Sequence, residues 1–171
     1  MKDEYKKATF AGGCFWCSEA DFEKHKGVIN IISGYSGGNK KNPSYEEVCS
    51  RKTGHRESIQ VIYDPKKINY NNLLEIFWKH IDPTDDNGQF VDRGNQYTTA
   101  IFYHNKEQKK LAEKFKKELE ESGKYSIPIV TEIIKFKNFY SAEDYHQDYH
   151  KKYPIEYKIY RKGSGRDHYI E

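Results

Sequence analysis

The segment KATFAGGCFWCSEADFEKHKG, residues 7–27, constrains the fold more than any other stretch. KATFAGG reads as a short strand. After Gly12 and Gly13 comes a helix, with acids early (Glu19, Asp21, Glu23), bases late (Lys24, His25, Lys26) and Gly27 as a stop. The chain therefore opens strand then helix, with Cys14 at the joint.

The alternation continues downstream. VINIISGY is a strand, and ESIQVIYDP alternates through Ile59, Val61 and Tyr63 as a half-buried strand does, ending at Asp64-Pro65. YNNLLEIFWKH, residues 70–80, sets Leu73, Leu74, Phe77 and Trp78 on one helical face. YTTAIFYHN is a strand, residues 106–122 form a charged helix stopped by Gly123, IVTEIIKF is a strand, and SAEDYHQDYHKKYP is a short helix ending near Pro154. Residues 35–56 and 82–95 read as long loops, of the kind that carries function in a compact domain. The tail RKGSGRDHYIE reads as loosely held. The first six elements, β-α-β-β-α-β, predict an α/β two-layer sandwich with a split β-α-β (ferredoxin-like) core, plus an extra helix and coil at the C-terminus. No repeat, linker or composition break divides the chain, so residues 1–171 are read as one domain.

Composition removes several function classes. Lys+Arg 29 against Asp+Glu 26 gives +3 with both signs interspersed, too balanced for a nucleic-acid or membrane-surface protein. KKLAEKFKKELEE alternates charge at helical spacing, as a solvated helix face does. MKDEYKKATF lacks an export signal and no run has transmembrane length, so a cytoplasmic location is expected. Three cysteines there are not a disulfide framework; they suggest redox chemistry, catalysis or metal.

Unpaired N–H groups at a helix start favour a thiolate at Cys14, and Gly12 and Gly13 permit a tight turn with room for a molecule to approach the sulfur. Phe15 and Trp16 offer an apolar wall suited to a methyl group. Two rival readings stand beside this one. Cys14 and Cys17 could serve a thioredoxin-like thiol-disulfide oxidoreductase, with Ile127-Pro128-Ile129 as the opposing proline loop. They could also be half of a zinc site completed by Cys49 and His55, although no second ligand pair is convincing and His146/His150 read as a polar helix face. The aromatic pair between the cysteines speaks against a plain dithiol site. The two loops hold Tyr45, Cys49, His55, Glu57, Asp92, Gln96 and Tyr97. Gathered over Cys14, a carboxyl and two phenols suit attack on an electrophilic sulfur carrying a poor oxygen leaving group.

GGCFWCSEADFEKHKGV…SGYSGG, NPSYEEVC, TGHRESIQVIYDP, FWKHIDPTD, NQYTTAIFYH and FYSAEDYHQDY together resemble the type A peptide methionine sulfoxide reductase family over nearly the whole chain. The resemblance implies an α/β two-layer sandwich that reduces the S epimer of methionine sulfoxide, free or peptide-bound, in repair of oxidative damage. It implies Cys14 as nucleophile, Phe15 and Trp16 as the methyl pocket, Tyr45 and Tyr97 as hydrogen-bond donors to the sulfoxide oxygen, and Glu57 as the acid. Asp92 would bind the substrate backbone or amine, and Gly12 and Gly13 would shape the turn. A Cys14 sulfenic acid would condense with a second thiol, and an external dithiol, thioredoxin or similar, would reduce the disulfide. No bound cofactor or metal is implied, and a monomer is expected. The tail lacks the resolving cysteines many members carry, which leaves Cys17, favoured for its one-turn spacing, Cys49, or direct reduction by an external thiol.

Overall fold

The computed structural model describes residues 4–171; the first three residues of the MKDEYKKATF segment lie outside the described part. In chain order the elements are β1 (Lys6–Ala11), α1 (Phe15–Glu23), β2 (Val28–Ser36), α2 (Tyr45–Cys49), β3 (Arg56–Tyr63), α3 (Tyr70–Lys79), β4 (Gly88–Gln89), β5 (Asp92–Arg93), β6 (Ala100–Tyr103), α4 (Lys106–Glu121), β7 (Glu132–Lys135), β8 (Tyr140–Ser141), α5 (Tyr149–Lys152), α6 (Pro154–Ser164) and α7 (Arg166–Ile170). Single 3-10 turns cover Asn95–Tyr97 and Asp144–His146.

Six strands form one sheet in the order β7-β6-β1-β3-β2-β8, and β4 pairs with β5 as a separate hairpin. Every pairing in the large sheet is antiparallel except β6 with β7. Period-two alternation decides which residue faces where. Phe10 on the central strand β1 stacks on Phe22 of α1 at 5.3 Å and on Phe77 of α3 at 5.0 Å, so both helices cover one face. Leu73, Leu74, Ile59, Val61 and Ile101 complete that core. The next residue, Ala11, points the other way, with Ala100 and Phe102. Truncating Phe10 to alanine would cost about 3–5 kcal/mol of stability.

Several expectations need correction. Helix α1 ends at Glu23, and its C-terminal turn closes with the Phe22 carbonyl accepting from His25 N–H at 3.2 Å, so the basic trio lies beyond the helix proper. The first long loop contains α2, held by a capping box: Ser44 Oγ accepts from Glu47 N–H at 3.1 Å, and Glu47 Oε1 accepts from Ser44 N–H at 3.0 Å. In the second, the Gln89 side chain ties the hairpin down, its amide donating to Asp82 O at 2.7 Å and accepting from Asp82 N–H at 2.8 Å. The helix expected over 141–154 is broken at Asp148, which is left-handed at φ 54, because its N–H turns to the Glu19 carboxylate. Pro154 starts a helix instead of ending one: it occupies the first turn of α6, where its missing N–H costs nothing.

The largest correction concerns the tail. Far from loosely held, it folds as α6 and α7 against the back of α1. Arg161 pairs with the buried Asp21 at 2.8 Å, and Arg166, 1 % exposed, donates to Gly12 O at 3.1 Å and His80 O at 2.8 Å. Its guanidinium lies 4.7 Å from the Phe90 ring centre.

Candidate active site

Cys14 caps α1 in an extended conformation, φ −57 and ψ 121, and its carbonyl accepts from Cys17 N–H at 3.2 Å and Ser18 N–H at 3.3 Å. Gly13 precedes it at φ +89, a region that suits glycine. A Cβ there would lie 2.7 Å from Gln89 Cβ and 2.9 Å from an Arg166 nitrogen. The space freed by Gly13 is thus filled by the protein's own side chains. Gly13 shapes the turn and, contrary to expectation, does not line the pocket beside the sulfur.

That pocket encloses about 230 Å³, bounded by Cys14, Phe15, Trp16, Tyr45, Glu57, Asp92, Tyr97 and Tyr160. The structure therefore gathers Cys14, both aromatics, both phenols and both carboxyl residues of the sequence reading, and adds Tyr160. Glu57 sits at the start of β3 on the helix-covered face, where its Oε1 accepts the Phe15 N–H at 3.1 Å and its carboxyl bonds the Tyr97 hydroxyl. Tyr45 opens α2; its N–H donates to Glu143 Oε2 at 2.9 Å, and its hydroxyl bonds the Tyr97 hydroxyl and the Cys49 thiol. Asp92, on β5, accepts from the Tyr160 hydroxyl of α6.

Trp16 is fixed from three sides. Its ring stacks on Tyr149 at 3.8 Å and 6°, meets Tyr160 edge-on at 5.5 Å, and donates its N–H to His146 Nδ1 at 3.0 Å. Accepting through Nδ1 leaves the His146 proton on Nε2, and burial lowers its pKa, so the ring is neutral. His146 is 1 % exposed among Phe15, Tyr45 and Tyr145, not part of a polar helix face.

Burial dominates the electrostatics. Glu57 is pushed well above the ordinary carboxyl range, chiefly by burial and against the Phe15 N–H bond, and this favours its protonated form. The helix start alone favours a thiolate at Cys14, but burial, then the hydrogen bond with Cys17, raise this thiol well above its usual value. A helix end favours an anion by about 0.3–2 kcal/mol. Full burial shifts a pKa by up to about 3–5 units at about 1.4 kcal/mol each, so burial wins. Cys17 moves the other way, to about 7, because the hydrogen bond from Cys14, Arg166, Arg161 and the Tyr157 hydroxyl together outweigh its burial.

The remaining candidates fall elsewhere. Cys49 is half-buried behind Tyr45 and does not line the pocket. His55 is spent on backbone: Nδ1 accepts from Gly38 N–H at 3.1 Å and Nε2 meets Lys40 O at 2.7 Å. Residues 127–129 do not border Cys14, so the proline-loop analogy fails. Among the described residues, the one group placed to share a cation is Glu19, Glu23 and Asp148, which contains no cysteine or histidine. No helix of the described chain is long and apolar enough to cross a membrane. Tyr160 and the two arginines were not singled out from sequence, and His146 was read only as part of a polar helix face. Their signal lay in the Tyr153, Tyr157, Tyr160 spacing that follows Pro154, a helical stripe preceded by a helix-starting residue.

The family model for peptide methionine sulfoxide reductase matches residues 6–171. The Vibrio cholerae peptide methionine sulfoxide reductase MsrA/MsrB is 56% identical over 98% of this chain, which spans only 44% of that longer relative. The Bacillus licheniformis peptide methionine sulfoxide reductase MsrA is 54% identical over 100% of this chain and 94% of its own length. Among solved structures, Saccharomyces cerevisiae Mxr1 in reduced form aligns with TM-score 0.83 and 35% identity over 89% of this chain and 87% of that one. Mxr1 in complex with Trx2 aligns with TM-score 0.61 and 27% identity over 87% and 89%. On the family match and these identities, the chain belongs to the peptide methionine sulfoxide reductase family.

Proposed function

We propose that the pocket over Cys14 reduces methionine-S-sulfoxide, free or peptide-bound, to methionine. One observation carries the reading: a thiol, a proton-bearing buried carboxyl and two phenols converge on one small cavity walled by Phe15 and Trp16. The methyl group packs on Phe15 and Trp16. Tyr45 and Tyr97 donate to the sulfoxide oxygen, and Glu57 hands it a proton. As the Cys14 sulfur bonds to the substrate sulfur, its thiol proton leaves to Glu57, restoring the acid. The hydroxyl then passes from the substrate sulfur to Cys14 as the bond between the two sulfurs breaks; methionine leaves with the electron pair, and Cys14 is left as a sulfenic acid.

A second thiol then condenses with the sulfenic acid, releasing water, and a thioredoxin-like dithiol reduces the disulfide; the Mxr1 complex with Trx2 supports that partner class. Cys17 is our choice of resolving thiol, since it already shares a hydrogen bond with Cys14. Asp92 is occupied by Tyr160 and would greet a substrate amine only jointly with that hydroxyl. No bound cofactor enters this chemistry. We further read the β6-β1-β3-β2 order, with α1 and α3 as crossovers, as a split β-α-β core within one catalytic domain. A monomer in the cytoplasm, where thiols stay reduced, suits the free cysteines. Mixing the reduced protein with methionine-S-sulfoxide, without any recycling system, should yield stoichiometric methionine. No methionine, or an equal yield from Cys14→Ser, would refute the reading.

A further inference from the structure

Cys17 faces away from the substrate pocket. It is 0 % exposed on the side of α1 covered by α6 and α7. Three groups from that C-terminal segment surround it. The Tyr157 hydroxyl hydrogen-bonds its sulfur, and Arg161 Nη1 donates to the same hydroxyl at 2.8 Å. A phenol oxygen that accepts from a guanidinium has its single proton free for another acceptor, and the sulfur is that acceptor. Arg161 is in turn held by Asp21 at 2.8 Å and by Asp167 at 2.8 Å.

Arg166 adds a second cation. It is anchored by two carbonyl oxygens, and among the described residues no carboxylate lies within ion-pair distance of it. Its Nε is buried without a partner. A buried guanidinium held only by neutral dipoles is costly to keep unless a counter-charge lies near. Two nearby groups can become anions that its charge favours, Cys17 and, in the substrate pocket, Asp92.

We propose that α6 and α7 form a built-in activating site for the resolving thiol. Tyr157 and Arg161 hold the Cys17 sulfur as a hydrogen-bonded thiolate, and Arg166 supplies its counter-charge. Tyr157, Arg161 and Arg166 are positioning residues, acting on the second chemical step through Cys17. In that step the Cys17 thiolate attacks the Cys14 sulfenic sulfur. The S–O bond breaks, the oxygen leaves as hydroxide and takes a proton to become water, and the S–S bond forms with both sulfurs at disulfide oxidation level. The segment that in this chain carries no cysteine would thereby serve resolution through charge. The proposal rests on the sulfoxide-reductase reading above.

Single-turnover mixing of the reduced protein with methionine-S-sulfoxide tests it, reading methionine release, loss of thiolate absorbance near the ultraviolet thiolate band, and dimedone trapping of sulfenic acid. Tyr157→Phe and Arg161→Met should release methionine at the wild-type rate yet close the disulfide about tenfold more slowly, because less Cys17 is ionised. Dimedone adducts on Cys14 should accumulate in both. Arg161→Lys, which keeps the cation, should recover most of the rate, separating charge from packing. Disulfide closure at the wild-type rate in Tyr157→Phe and Arg161→Met would overturn the proposal. So would equal slowing of methionine release and disulfide closure in Tyr157→Phe and Arg161→Lys. Absence of methionine from the wild-type protein would instead strike the parent reading.

Discussion

The two sides of the first turn of α1 are chemical opposites. Cys14 opens onto a cavity with Glu57, Asp92 and three phenols, and burial keeps its proton on. Cys17, one turn later, has its pKa drawn down to about 7 by the hydrogen bond from Cys14, joined by Arg166, Arg161 and Tyr157. The sequence CFWC suggests a symmetric dithiol, but the fold makes it asymmetric. A helix places residues three apart on neighbouring surface, and the surroundings differ: Tyr45, Glu57, Asp92, Tyr97 and Tyr160 border the Cys14 cavity, while Tyr157, Arg161 and Arg166 lie near Cys17. The two thiols stay in contact through their hydrogen bond, and the Cys17 charge also helps to raise the Glu57 carboxyl.

The strongest way to break this contrast is to remove the front sulfur. Cys14→Ser should abolish methionine formation and, by removing the thiol hydrogen bond that lowers Cys17 most, reduce the thiolate absorbance near neutral pH. Next in size is Glu57→Gln, which should slow methionine formation by about 10²–10⁴-fold. Because burial raises the Glu57 pKa, its protonated, working form persists above the ordinary carboxyl range and is lost as pH rises through the raised value. The wild-type rate should therefore fall on the alkaline side, and the Glu57→Gln rate should lose that limb.

On the back side, Arg166→Met strips the donors from Gly12 O and His80 O and should destabilise the fold by on the order of 3 kcal/mol, seen as a lower urea midpoint. A smaller effect is expected at Trp16→Phe. Losing the N–H to His146, worth about 1 kcal/mol, should raise KM about fivefold with kcat little changed. Smallest of all, Cys49→Ser should leave methionine release and disulfide closure unchanged, since Cys49 lies behind Tyr45 outside the pocket.

How much of this was legible from residues alone depends on the range of the forces involved. The strands β1, β2 and β3 and the helices α3 and α4 follow local periodicity and caps, so they read directly. Helix α2 is five residues long, too short for periodicity, although Ser44 and Glu47 spelled its capping box. The pocket residues Cys14, Tyr45, Glu57, Asp92 and Tyr97 come from five separate elements and were assembled through family resemblance, since spacing cannot bring them together. Arg166 was illegible: SGRDHY looks like solvent-exposed tail, and only the folded chain shows two carbonyls waiting for a donor. Pro154 misled for a definite reason, since the same ring that ends one helix suits the first turn of the next.

The division of labour across α1 is tested most directly by mapping the bond formed in one turnover. Reduced protein is mixed with one equivalent of methionine-S-sulfoxide, quenched with an alkylating agent, digested and analysed by mass spectrometry. The account predicts a Cys14–Cys17 disulfide with Cys49 alkylated. A Cys14–Cys49 disulfide, or Cys17 alkylated beside an oxidised Cys14, would contradict it.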